Sequence, residues 1–335
     1  MNHNQKPLKI VMTDCEYPDT QFEEAVIAQL EKNVLFIQAQ CKTEADVIEL
    51  AADADGIINQ YAPITGKVIA KLKKCQVISR LGVGVDSVDL KAAEERGIWV
   101  ANVPNYCMDE VSDHTMALLL SWARKIPFYD QVVKTSSWDY KMGTPIFSLR
   151  DKVIGLVGYG KIAQLLAAKA TAFGMKIMFY DPYVTGGPVH AGAVQASSLE
   201  ELMAESDFIS VHTPLNDATR GLIAKPLLEL MKPTAVIINT SRGPIINETD
   251  LIEALETGKL AGAALDVIEQ EPIDRNHPFL RMPQVILTPH VAWYSEESQA
   301  KLRVNCTLNV MRVLQGEAPL YAVNKPINKF SASEA

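Results

Sequence analysis

Cysteine is scarce and unpatterned in these 335 residues. The five cysteines are Cys15, Cys41, Cys75, Cys107 and Cys306. Their number is odd, their spacings are wide, no CxxC pair occurs, and no Cys/His cluster has zinc spacing. A disulfide framework and a metal site are therefore not expected; reduced, mostly packed thiols in a cytoplasmic compartment are. Long apolar runs are missing as well. The start, MNHNQKPLKIVMTD, holds one apolar run that is too short for a signal-peptide core and lacks a small-residue cleavage site, so it reads as a first strand. No stretch reaches membrane-spanning length, and no membrane partner is expected. Positive charge is in deficit: 32 Lys+Arg against 40 Asp+Glu give a net charge of −8. That balance argues against nucleic acid as a partner, because phosphate backbones need a basic face. The C-terminal INKFSASEA is polar and is expected to fray.

What the chain does have is apolar residues in ordered short runs. At 48% hydrophobic content and this length, two domains with sizeable cores are expected. Candidate strands at 8–14, 34–38, 56–60, 76–82 and 98–103 alternate with amphipathic stretches such as 21–32 and 43–54. A helix over about 109–126, capped by Asp109 or Ser112, comes next; residues 127–150 read as an irregular arm. A second series of strands follows at 151–160, 176–181, 207–212, 235–241, 262–267 and 284–290, with a last helix over about 295–315. Alternation of this kind implies βαβ units and parallel sheets. The expected fold is α/β, with two doubly wound, Rossmann/flavodoxin-like domains separated by an active-site cleft. Residues 1–106 plus 299–335 form one, discontinuous because the last helix has no sheet of its own to cover, and 107–298 form the other.

The segment 153–181 carries the most informative local pattern. A strand ends in Gly158-Tyr159-Gly160-Lys161-Ile162-Ala163 and a helix follows at once. Gly158 allows a tight turn, Gly160 allows backbone to approach a pyrophosphate, and Ala163 permits close helix–strand packing. The helix N-terminus adds free amides and partial positive charge. A second strand ends in Asp181, where a carboxylate accepts ribose hydroxyls and repels a 2′-phosphate. Pro182 to Pro188 contain no Arg or Lys, so NAD is expected rather than NADP.

Hydride chemistry on a hydroxy acid needs a cation for the carboxylate, an acid/base, and a carboxylate to support it. Arg242 follows a strand in IINTSRGPI and has the bidentate fork that suits a carboxylate. His290 ends QVILTPH and suits proton exchange near neutrality. It is one of six histidines, with His3, His114, His190, His212 and His277, and any one alone is more commonly structural. In DVIEQEP, Glu271 and Glu269 are two residues apart, and position alone does not choose between them.

At these residues, and over about 55–316, the sequence resembles the D-isomer-specific 2-hydroxyacid dehydrogenases. The motifs are SRLGVGVDSVDLKAAEERGIWVANVP, GYGKIA, SVHTPLNDATRGLI, VIINTSRGPIINETDLIEAL, GAALDVIEQEP and LTPHVAW. The resemblance implies a catalytic set of Arg242, Glu271 and His290, the family glutamate being the one that directly precedes the proline. It implies NAD contacts at Gly158, Gly160, Lys161, Ile162, Asp181, His212, Thr213, Pro214, Thr240, Ser241, Arg242, Asp266 and His290. Asp266 is expected at the carboxamide end of the nicotinamide. The first block becomes the substrate-binding domain, with the carboxylate bound by the amides of Val83 and Gly84. HVAWYSEES (290–298) is similar to the C-terminal-binding-protein corepressors and their bacterial dehydrogenase relatives, which adds Arg80 and Trp293 as substrate ligands. Tyr61 and Met108 are further wall candidates. Lys161 stands where an arginine is common and Ala163 where a third glycine is, both compatible with cofactor binding. Glutamine in place of Glu271 marks formate-dehydrogenase relatives, so that reaction is not expected. The implied activity is reduction of a small 2-keto acid; the competing reading is an NAD(H)-sensing interaction protein. A homodimer is expected through the aromatic arm at 127–150.

Overall fold

The computed structural model describes residues 6–30, 32–184 and 192–327. His3, His190, part of the Pro182–Pro188 stretch and nearly all of the C-terminal INKFSASEA lie outside the described residues. The chain forms two compact units, one made of residues 1–106 and 295–335, the other of 107–294.

The first unit contains β1 (Leu8–Met12), α1 (Gln21–Ile27), β2 (Val34–Gln38), α2 (Glu44–Ala51), β3 (Gly56–Asn59), α3 (Gly66–Lys71), β4 (Val77–Arg80), α4 (Leu90–Glu95) and β5 (Trp99–Ala101). Its sheet runs β2-β1-β3-β4-β5 with every pairing parallel. The strands are short apolar runs because a parallel sheet is covered on both faces; all four residues of β3 are buried.

The second unit contains α5 (Met108–Arg124), α6 (Ile126–Thr135), β6 (Val153–Val157), α7 (Lys161–Ala172), β7 (Lys176–Tyr180), β8 (Ala193–Gln195), α8 (Leu199–Glu205), β9 (Phe208–Val211), α9 (Lys225–Leu228), β10 (Val236–Asn239), α10 (Glu248–Glu256), β11 (Gly262–Leu265) and β12 (Val285–Leu287). Its parallel sheet runs β12-β11-β10-β9-β6-β7-β8. Strand order reverses at β6, which is the doubly wound dinucleotide-binding order, and it opens a crevice beyond the carboxyl ends of β6 and β9. Alternate strand residues feed two cores. Val157, Ile209, Ile237 and Leu265 face one side, while Leu156, Phe208, Ile238 and Ala264 face the other with residues of α5 and α7.

α11 (Glu296–Leu314) returns to the first unit. Val310 and Leu314 lie over Gly56, where an added Cβ would come within 2.6 Å of Val310. Arg303, 1% exposed, donates to both oxygens of Glu23 on α1, at 2.8 and 2.6 Å. The division falls at Ser295 instead of the expected 299, because Ser295 is the N-cap of α11 and shares a capping box with Ser298.

Two local expectations are corrected. Residues 126–135 are helical, not irregular. Pro127 occupies the first turn, where its missing N–H costs nothing, and Asp130 and Lys134 pair one turn apart at 2.8 Å. α5 is preceded by Cys107 with no side-chain cap, and Asp109 sits in its first turn in place of capping it. Among the described residues, no helix is long and apolar enough to cross a membrane, and no cluster of three or more His, Cys, Asp or Glu could hold a metal ion.

Candidate active site

The crevice begins at the turn after β6. Gly158 has φ +89, and an added Cβ would sit 3.0 Å from the carbonyl carbon and oxygen of His212, so the chains after β6 and β9 touch here and only glycine fits. Gly160 precedes α7 with φ −72 and no side-chain cap. A Cβ built on it meets nothing within 4 Å. Open space over uncapped helix amides is what an approaching pyrophosphate requires. Ala163 is fully buried against the sheet; Lys161 is exposed and Ile162 half-buried at the helix start. Asp181, just past β7, accepts from the amides of Tyr159 at 2.8 Å and Tyr183 at 2.9 Å, which fixes its carboxylate beside the glycine turn.

The next loops are tied to this turn. Ser241 Oγ donates to the Thr213 carbonyl, and Thr240 Oγ1 lies 2.8 Å from Thr115 Oγ1 on α5. Thr213 and Pro214 lie past the end of β9. Burial lowers the His212 imidazole to about 4, so it stays neutral near neutral pH, with Nε2 2.9 Å from Ser210 Oγ. Asn239 at the end of β10 braces the following turn, donating to the Arg242 carbonyl at 2.9 Å and accepting from Ser241 N at 3.0 Å.

Arg242 and Glu271 come from loops that abut. A Cβ on Gly243 would lie 1.8 Å from the Ile268 carbonyl oxygen. Glu271, not Glu269, meets His290: its Oε2 is 2.7 Å from Nδ1. A carboxylate only accepts, so Nδ1 carries the proton and Nε2 is left to exchange one with a substrate. Both side chains keep solvent access, 29% for His290 and 37% for Glu271. His290 has φ +53, an uncommon conformation for a side-chain-bearing residue. Its amide donates to the Asp266 carbonyl at 2.8 Å. The buried Asp266 carboxylate receives Thr288 Oγ1 at 2.5 Å and the amides of Val291 and Ala292 at 2.9 Å each. Its observed bonds therefore shape the loop that carries His290. Trp293 follows, edge-on to Tyr294 at 5.5 Å.

Arg80, Val83 and Gly84 belong to the first unit. Arg80 folds across Gly82, whose added Cβ would collide with its guanidinium, and lies 5.9 Å from the Tyr61 ring centre. The Val83 carbonyl accepts from Asn102 Nδ2 at 2.6 Å. All five cysteines are buried thiols outside any disulfide, and burial pushes the Cys75 and Cys306 thiols up to about 12, away from nucleophilic use.

Several supporting residues were not singled out by sequence. His114 Nε2 is 3.0 Å from Thr288 Oγ1. Thr288 gives its one proton to Asp266, so His114 must donate through Nε2–H. Polar residues inside the buried stretch of α5 were the available signal, since Ser112 and Thr115 are fully buried. Glu248, which faces the loop bearing Glu271, and His277, at the far end of that loop, had no comparable signal.

Over residues 116–292 the chain matches the family described as D-isomer specific 2-hydroxyacid dehydrogenase, NAD binding domain. It is 39% identical over 286 residues to a D-3-phosphoglycerate dehydrogenase of Methanocaldococcus jannaschii, covering 85% of this chain and 54% of that protein. It is 34% identical over 287 residues to a glyoxylate reductase of Korarchaeum cryptofilum, covering 84% and 86%. Its structure is similar to D-lactate dehydrogenase from Aquifex aeolicus complexed with NAD and lactic acid, with a TM-score of 0.83 and 27% identity over 92% and 96% of the two chains. The chain spans about half the length of the phosphoglycerate dehydrogenases it matches.

Proposed function

The chain belongs to the D-isomer-specific 2-hydroxyacid dehydrogenase family, and from that premise we propose that it is an NAD-dependent oxidoreductase interconverting a small 2-keto acid and its D-2-hydroxy acid. The observation that carries the proposal is the 2.7 Å contact between His290 Nδ1 and Glu271 Oε2. It orients the imidazole and holds a proton on Nδ1, leaving Nε2 for the substrate.

Bound nicotinamide supplies or accepts the hydride. The turn at Gly158–Ile162 and the first amides of α7 hold the pyrophosphate, with Lys161 beside them. Asp181 accepts the ribose hydroxyls and selects NAD over NADP. His212, Thr213, Pro214, Thr240 and Ser241 line the path of the cofactor, and Asp266 sets the His290 loop. Arg242 binds the substrate carboxylate through its fork and polarises the ketone. In reduction His290 gives its Nε2 proton to the forming hydroxyl; in oxidation it takes that proton back. Arg80, the amides of Val83 and Gly84, and Trp293 are proposed as further substrate ligands on the strength of the family likeness.

NADH oxidation followed by absorbance with glyoxylate, hydroxypyruvate, pyruvate and phenylpyruvate tests the activity. Turnover of at least one is expected; binding of NADH with no oxidation of any would support a nucleotide sensor instead.

We also propose a cytoplasmic homodimer. Trp138, Tyr140 and Phe147 are 90%, 73% and 60% exposed on the segment that follows α5, with Ile126 at 58%, and a second copy would cover them. Light scattering at micromolar concentration should give about twice 36.9 kDa, and a monomer mass would refute it.

A further inference from the structure

We propose that Glu248 is a positioning residue for the acid–base pair, fixing both feet of the loop that presents Glu271; this rests on the roles given above to Glu271 and His290. The loop leaves β11 and runs past Ile268 to His277. Glu248 Oε2 accepts the Glu269 amide at 3.0 Å, and Oε1 accepts His277 Nε2 at 2.9 Å. One carboxylate thus clamps two points eight residues apart, with Glu271 between them.

The second foot is itself fixed. His277 Nδ1 accepts the Phe279 amide at 3.3 Å, so the imidazole proton sits on Nε2 and points at Glu248. The His277 ring packs 4.8 Å from that of Phe279, which is 2% exposed in the core of the second unit. The side chains of His277 and Glu248 are only 14% and 16% exposed, so water competes weakly for the contact.

Glu248 is not occupied with capping its own helix. It opens α10, but the cap is Asn247, whose side chain accepts the Asp250 amide at 3.1 Å. Its carboxylate is turned to the loop. Without this clamp, Glu271 has the Ile268 amide, 3.3 Å from Oε1, as its contact besides His290, and it is 37% exposed. A carboxylate so placed spends part of its time in rotamers that miss Nδ1.

The two-donor geometry requires a charged acceptor. Glutamine offers one acceptor oxygen and an NH2 group, and both partners present N–H. A switch of the His277 tautomer does not rescue this, because it would set Nδ1–H against the Phe279 amide. Glu248→Gln therefore releases one foot without changing side-chain size.

The test uses the full chain with NADH and glyoxylate as probe, and four proteins: wild type, Glu248→Gln, Glu271→Gln and the double variant. Glu248→Gln should lower kcat about tenfold, the scale at which orienting partners act. KM for glyoxylate and Kd for NADH should stay within about twofold. In the Glu271→Gln background the same change should alter kcat less than about twofold, because a residue acting through another has nothing left to position. Hydrogen–deuterium exchange over 268–277 should rise in Glu248→Gln whether or not glyoxylate is a good substrate. His277→Phe keeps a ring against Phe279, removes the donor, and should raise exchange over the same residues. Equal losses of kcat in both backgrounds, or unchanged exchange, overturn the proposal. If Glu271→Gln alone turns over like wild type, it is the reading of Glu271 that fails.

Discussion

Gly243 sits where the Arg242 loop and the Glu271 loop meet, and its replacement by alanine should separate them. The added Cβ would lie 1.8 Å from the Ile268 carbonyl oxygen, 1.9 Å from its carbon and 2.5 Å from Glu269 N. All three are backbone atoms, so no rotamer change relieves the contact. Ordinary contact begins at 3.4 Å, and reaching it from 1.8 Å displaces the loops by about 1.6 Å. A misplacement of about 1 Å at a reacting centre costs on the order of 100-fold in rate. Gly243→Ala should therefore lower kcat/KM at least about 100-fold, or about 2.7 kcal/mol of transition-state stabilisation. The glycine turn at 158–160 lies apart from this contact, so NADH affinity measured by fluorescence should fall by a smaller factor than kcat/KM. A variant that keeps more than a third of wild-type kcat/KM would refute the reasoning, since the loops would have separated without disturbing the pair they carry.

Gly160→Ala should leave the free energy of unfolding nearly unchanged, within about 0.5 kcal/mol, while weakening NADH binding at least about tenfold, because its Cβ meets no protein atom and fills the space given to the pyrophosphate; unchanged affinity would move the phosphates elsewhere. Gly158→Ala should instead destabilise the fold by about 1–3 kcal/mol, through φ +89 and the His212 backbone 3.0 Å away, and denaturant unfolding reads it. Asp181→Ser should erode the preference for NADH over NADPH, and an unchanged ratio of kcat/KM values would count against its ribose contact. His212 binds a proton less readily folded, at about 4, than unfolded, at 6.5. Its contribution to stability is therefore complete above pH 6.5 and is lost as pH falls towards 4, by up to about 3 kcal/mol. His212→Gln should flatten the dependence of stability on pH in that window; an identical slope would contradict the burial argument.

The fold was legible where local chemistry is strong. Continuous apolar runs such as VIIN at 236–239 mark buried parallel strands, and GYGKIA marks the switch point of the second sheet. It was less legible at β8, whose three residues sit on a sheet edge and leave Val194 59% exposed, so no apolar run announces them. The helix at 126–135 was hidden by Pro127, a residue that breaks helix interiors but suits a first turn. In the site, Arg242, Glu271 and His290 drew notice by residue type and family likeness, yet spacing left Glu269 as an equal candidate. The 2.7 Å contact to His290 separates the two glutamates. The partners behind them were harder to read because their contacts join remote positions: Glu248 with His277, 29 residues on, and His114 with Thr288, 174 residues on. Such pairings exist only once the sheet has brought its loops together.

The most direct measurement is single-turnover oxidation of enzyme-bound NADH by a keto acid, followed by stopped flow in wild type and His290→Ala. In His290→Ala the hydride step should slow by about 100-fold or more, with NADH affinity unchanged within about twofold. A His290→Ala protein that oxidises NADH at the wild-type rate would contradict it.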